Sequence, residues 1–240
     1  MNFVKDYLVR RNNQKRRKNV LTEFVQNIYT ADGLNLDTSR ENLEQAVIEL
    51  VYNNNQHAAC GLLITTDGYF VTCYHCVDTN EQLYIVLPTG KKYPIQKVCA
   101  FSKKYDIALV KADIPVLSQA LCYRFFVHNK LDRAVALEKD IVVVLTRWEK
   151  RLVVNGGFTD GAILKQYNVI RNTDYAFVDQ VHFQAQLKHG DSGGVVISST
   201  AKRVYGLHSN GERHNNHSFF TAWHKVIELI IYYINRQSSS

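Results

Sequence analysis

Short runs of β-branched and aromatic residues recur about every ten positions along this chain, with turn chemistry between them. Ala59–Thr65, Tyr69–Tyr74, Gln82–Leu87, Pro94–Phe101 and Ile107–Lys111 form a first series. After a less regular join come Ile141–Thr146, Leu152–Asn155, Ala162–Ile170, Ala176–Phe183, Val195–Ser198, Arg203–His208 and Ser218–Thr221. Side chains branched at Cβ lose rotamer freedom in a helix and pack well on a pleated surface, so each run reads as a strand. Thr66-Asp67-Gly68 and Asn155-Gly156-Gly157 carry hairpin chemistry. A dozen strands with almost no helical period predict an all-β sandwich or a pair of barrels.

Two segments depart from that texture. Near the end, Trp223, Val226, Ile227, Ile230, Ile231 and Ile234 fall on one face of a helix, with Thr221 as its expected cap. Earlier, Thr38-Ser39-Arg40-Glu41 has capping-box spacing ahead of Leu43, Ala46, Val47, Leu50 and Val51. That stretch reads equally as a short helix followed by a buried strand, Ala46–Tyr52. With 240 residues, 46% apolar and 21% charged, the chain can bury a core and is not of the disordered class.

A net charge of +7 points at first to nucleic acid or an anionic membrane. Its distribution says otherwise. Lys5, Arg10, Arg11, Lys15, Arg16, Arg17 and Lys18 face only Asp6 within residues 1–20, so six of those charges sit there. Residues 1–45 are therefore read as a basic extension, with an amphipathic patch at Val20, Leu21, Phe24, Val25 and Ile28. Such an arm could block a cleft, dock on a regulatory partner protein, or hold nucleic acid or anionic lipid. The other 220 residues together are near neutral, and residues 46–240 form the body. The charged start is followed by no apolar core of a secretory signal, and no run reaches the ~20 residues of a membrane span. A cytoplasmic protein is expected, with unconventional secretion left open. Five irregularly spaced cysteines (Cys60, Cys73, Cys76, Cys99, Cys122) argue against a disulfide framework.

Three motifs carry chemistry. Phe70-Val71-Thr72-Cys73-Tyr74-His75-Cys76 is a strand ending in a histidine. Asp106-Ile107-Ala108-Leu109 puts an acid at the start of an apolar strand, and Gly190-Asp191-Ser192-Gly193-Gly194 is a serine in a glycine-rich turn. A serine hydroxyl is a poor nucleophile until a base within hydrogen-bond reach takes its proton, and that base needs an orienting acid. Glycines beside the serine let backbone N–H groups turn toward a developing oxyanion.

In the order His, Asp, Ser, these motifs resemble the chymotrypsin-like serine peptidases over about residues 46–234. The resemblance implies a double β-barrel closed by a C-terminal helix. It further implies Ser192 as nucleophile, His75 as general base, Asp106 as its orienting carboxylate, and the N–H groups of Gly190 and Ser192 as the oxyanion hole. Cys60 and Cys76 fall where secreted relatives form a disulfide, so they are expected close together, as thiols in a reducing compartment. Asp191 is present without the Ile-Val-Gly-Gly terminus that activates extracellular relatives.

The resemblance also places a substrate pocket at Gln186, Leu187, His208, Ser209 and Gly211. Trypsins carry an acid where this chain has Gln186, which argues against cleavage after Lys or Arg. Gly206-Leu207-His208 is similar to the Gly-Ile-His of potyvirus- and picornavirus-type main proteases and of glutamyl endopeptidases, which implies cleavage after Gln or Glu. The competing reading of His208 is a core histidine bonded to a tyrosine or to backbone. His214 and His217 lack the spacing of a zinc frame, and a ligand role for Cys73 and Cys76 would occupy His75; no metal or cofactor is expected. The expected function is serine endopeptidase acting on protein or peptide substrates. The alternative is an inactive protease fold used as a binding module.

Overall fold

The fold is described from a computed structural model, over residues 21–22, 44–115, 141–158, 166–172, 175–198, 204–212 and 217–237. Six strands come first: β1 (Val47–Tyr52), β2 (His57–Leu63), β3 (Tyr69–Thr72), β4 (Leu83–Val86), β5 (Lys92–Ser102) and β6 (Ile107–Ala112). They close into an antiparallel barrel in the order β1-β2-β3-β6-β5-β4. Seven follow: β7 (Ile141–Trp148), β8 (Arg151–Phe158), β9 (Gln166–Asn172), β10 (Tyr175–Ala185), β11 (Val195–Ser198), β12 (Val204–Glu212) and β13 (His217–Ala222). Their sheet runs β13-β12-β11-β7-β8-β10-β9, and a β13–β10 pairing joins it into a second ring with β9 outside. Helix α1 (Trp223–Gln237) ends the described chain. No helix among the described residues is long and apolar enough to cross a membrane.

Strand alternation builds three cores. Ile48, Leu50, Leu63, Phe70, Ala108 and Val110 point into the first barrel. Val142, Val144, Val181, Phe183, Val196 and Phe220 fill the second. The opposite faces of the same strands, Val47, Leu62, Val71 and Leu109 in one barrel and Leu145, Val195, Ile197 and Leu207 in the other, meet in a third core with Val226, Ile227, Ile230 and Ile234 of α1. Burial on both faces explains why β1 and β6 read as continuous apolar runs rather than as alternating ones.

The structure corrects two local expectations and decides between the readings of a third stretch. Asn155, Gly156 and Gly157 lie inside β8, opposite Val144, Val143 and Val142. The hairpin turns instead at Glu149 and Lys150, both left-handed at φ 47° and 68°, which matches the twist that two-residue hairpins require. Thr221 belongs to β13 and donates its hydroxyl to the carbonyl of Tyr105 rather than capping α1. In the stretch with two readings, the strand is found: β1 begins at Val47, directly after helical residues 44–46. Of the extension, residues 21–22 and 44–45 are described; Leu21 and Thr22 are buried, and Leu21 packs into the third core. The capping box, the arm's basic residues, Cys122 and His214 lie outside the described residues.

Candidate active site

His75 sits in a 3-10 turn, Tyr74–Cys76, immediately after β3. Asp106 precedes β6, the neighbour of β3 in the barrel, so strand pairing alone brings the two together. Its Oδ1 accepts from the backbone N–H of His75 at 3.0 Å and its Oδ2 from His75 Nδ1 at 2.8 Å. A third donor, Ser209 Oγ of β12, reaches Oδ2 at 2.5 Å. Asp106 itself is fully buried and left-handed at φ 52°, a conformation that aspartate tolerates better than most residues.

Ser192 comes from the other barrel, in the turn before β11. Gly190 and Gly193 have φ of 97° and 81°. A Cβ on Gly193 would lie 2.0 Å from the carbonyl oxygen of Cys60, so only glycine fits this crossing of two backbones. The turn is tied to the first barrel by Cys60 N–H donating to Ser192 O at 2.8 Å, and to β12 by Gly193 N–H donating to His208 O at 2.7 Å. Asp191 accepts from Trp148 Nε1 at 2.9 Å and from the Lys188 N–H at 2.8 Å. Indole and loop amide thus satisfy this buried carboxylate from within the described chain. The N–H groups of Gly190 and Ser192 donate to no atom among the described residues.

His75, Gly190 and Ser192 line one cleft of about 390 Å³, with Cys76, Leu187, Lys188, His189, His208, Asn210 and Gly211. The nucleophile and the base are not yet joined in it. Ser192 Oγ donates to the Ser209 carbonyl at 3.0 Å, and His75 Nε2 lies 3.5 Å from Cys76 Sγ. Burial disfavours a charge on His75, but the neighbouring Cys76 and the bond to Asp106 outweigh it and raise the ring's pKa. A hydrogen bond from Cys73, with the His75 charge acting against burial, lowers Cys76; burial raises Cys73.

Of the expected pocket residues, Leu187, His208 and Gly211 line the cleft. Gln186 does not, being exposed at the end of its strand. Ser209 does not either, because its hydroxyl is spent behind the histidine on Asp106. His208 is 3% exposed, and its Nδ1 donates to the Phe219 carbonyl at 3.1 Å, so it is both a backbone-anchored histidine and a cleft residue. His217 faces His182, with His217 Nδ1 2.5 Å from His182 Nε2. Cys60, Cys73, Cys76 and Cys99 are free thiols.

Sequence reasoning missed His57, Glu49 and Trp148. His57 Nδ1 meets Glu49 Oε1 and its Nε2 meets the Gly190 carbonyl, each at 2.9 Å. Its ring stacks on Trp148 with centroids 3.7 Å apart. One signal was available: Glu49 is the single charge in the apolar strand Val47–Tyr52, and a charge in such a place needs a partner.

Comparisons with known proteins bear on the family and the fold. A sequence profile of the trypsin-like peptidase domain matches residues 59–207. A probable periplasmic serine endoprotease, DegP-like, of Chlamydia pneumoniae is 30% identical over 143 residues, covering 58% of this chain and 26% of that protein. The chain thus spans about a quarter of that relative's length. The MamO protease domain of Magnetospirillum magneticum superposes with a TM-score of 0.62 at 16% identity, covering 78% of this chain and 96% of that one. An inactive serine-to-alanine form of Rv3671c from M. tuberculosis gives 0.60 at 16%, covering 81% and 89%. At such identities the solved structures speak for the chymotrypsin-like fold alone. The profile covers more than half of the sequence, and the chain belongs to the trypsin-like peptidase family.

Proposed function

We propose that the protein is a serine endopeptidase in which Ser192 attacks a peptide carbonyl, His75 takes and returns the proton, and Asp106 holds the ring. The observation that carries this reading is the meeting of an Asp106-anchored His75 from one barrel with Ser192 from the other in a single cleft. The uncommitted N–H groups of Gly190 and Ser192 beside it would receive the oxyanion. Ser192 has to swing from the Ser209 carbonyl toward Nε2; catalytic hydrogen bonds that are loose in a free enzyme commonly tighten around substrate. A fluorophosphonate probe tests the proposal: it should label the protein, and Ser192→Ala should abolish labelling and lower turnover by roughly 10⁶-fold.

Cleavage after Gln or Glu is the specificity we propose. His208 lines the cleft beside Ser192 with its ring anchored on the Phe219 carbonyl, which fixes a polar histidine where a Gln or Glu side chain would enter. A peptide-library digest dominated by cleavage after Lys, Arg or large apolar residues would reject it. The free thiols fit a reducing compartment. A second reading is a binding module with a silent site, favoured by the present engagement of Ser192 with Ser209 and of His75 with Cys76. Absence of labelling would decide for it.

A further inference from the structure

Two cysteines bracket the candidate base, and peptide hydrolysis uses neither. Cys73, in extended backbone, precedes the 3-10 turn, and that turn folds Cys76 back so that its N–H donates to Cys73 O at 3.3 Å. The Sγ atoms of Cys73 and Cys76 and a ring nitrogen of His75 all lie within 4.8 Å of one another. We propose that these three residues form a site for a thiophilic divalent cation, Zn²⁺ being the best match, and that its binding silences the enzyme.

Three features of the cluster fit a tetrahedral ion. With Zn–S near 2.3 Å and Zn–N near 2.0–2.1 Å, neighbouring sulfur and nitrogen ligands sit about 3.6 Å apart. The distance from His75 Nε2 to Cys76 Sγ is already 3.5 Å. His75 Nδ1 is held by Asp106 Oδ2 at 2.8 Å, which makes Nε2 the coordinating atom and supplies the carboxylate that metal-bound histidines usually carry behind them. His75 and Cys76 also border the 390 Å³ cleft, which gives the ion an entry path and its fourth position a water. Cys73 is fully buried beneath, its Sγ 3.0 Å from the His208 carbonyl, and closes the inner side.

The silencing follows from one lone pair. Nε2 is the atom that must accept the proton of Ser192, and an ion coordinated there removes it. This half of the inference rests on the serine peptidase reading; the metal site does not. Zinc chemistry here occupies the base, which the sequence reading took as an argument against a ligand role and which the geometry turns into a means of control.

The test uses the full chain, reduced and stripped of metal with a chelator, and Co²⁺ as a spectroscopic probe. One equivalent should produce thiolate-to-metal charge-transfer absorption and tetrahedral ligand-field bands, and Zn²⁺ should abolish both. At the same Zn²⁺ concentration fluorophosphonate labelling of Ser192 should fall, and excess chelator should restore it. Cys76→Ser should raise the Co²⁺ concentration required by at least about tenfold, since even outer partners of a metal site are worth about 10–100-fold. Wild-type protein that labels normally but shows no thiolate–Co²⁺ absorption overturns the proposal. So does Zn²⁺ inhibition unchanged in both Cys76→Ser and Cys73→Ala. Thiolate–Co²⁺ absorption in a metal-free protein that never labels supports the site and overturns the peptidase reading together with the silencing.

Discussion

His57 holds the carbonyl of Gly190 from one ring nitrogen while Glu49 holds the ring from the other. Trp148 stacks on that ring and donates its own N–H to the Asp191 carboxylate, so the Gly190 carbonyl and the Asp191 side chain, just before Ser192, are held by side chains outside the turn. A Cβ on Gly190 would come within 2.7 Å of both rings, which leaves no room for another residue there. His57 touches no reacting atom and is a positioning residue. His57→Phe keeps the stack and loses both hydrogen bonds; kcat should fall with KM little changed, by less than the roughly 100-fold that loss of an oxyanion donor itself costs. His57→Gln, which retains a donor, should recover part of the loss. Equal losses in kcat and folded fraction for both variants would reduce the residue to a structural one. Beyond the lone charge of Glu49 in an apolar strand, none of this chemistry was legible beforehand, because residues 57, 148 and 190 are joined only by the docking of two barrels. His75, Asp106 and Ser192 stood out as candidates because their local motifs are compact.

At the scale of elements, the β7–β8 hairpin depends on a carboxylate from the other barrel. The N–H groups of Glu149 and Lys150, both in left-handed backbone, donate to Glu49 at 3.1 Å each. Burial works to raise the Glu49 pKa, but the bonds from His57, Lys150 and Glu149 outweigh it and lower the pKa from 4.5. A carboxyl whose folded pKa is depressed stabilises fully above its unfolded value, and that stability disappears as pH falls through the folded value. Denaturant midpoints should therefore drop below about pH 4.5 in the wild type. Glu49→Gln should be less stable near neutrality and flatter across that acid range; an unchanged acid limb would refute the role of Glu49. The element boundaries in the sequence were good wherever β-branched runs ended in turn residues. They failed at Asn155-Gly156-Gly157, where glycines serve the inside of a strand and the turn falls on two charged residues.

Across the whole molecule, α1 and the cross-barrel bonds decide how the halves meet. Ile230 is fully buried in the core shared by both barrels and the helix, so Ile230→Ala should cost about 2–5 kcal/mol. A single, earlier denaturation transition seen alike by circular dichroism and Trp fluorescence would show that the barrels unfold together; a loss below about 0.5 kcal/mol would mean that the helix is no clamp. Arg147 adds a polar tie, its buried guanidinium donating to the carbonyls of Val47 and Glu44 at 2.7 Å each. By itself the sequence determined twelve of the thirteen strands, the terminal helix and the three motifs that hold His75, Asp106 and Ser192, because strand period, helical period and short motifs are written in neighbouring positions. Only the tertiary structure decided that Ser209 backs Asp106, that His57 holds Gly190, and that two thiols crowd His75. Those arrangements join residues far apart in the chain, or depend on the way a turn aims its side chains, and neither is set until the barrels close and dock.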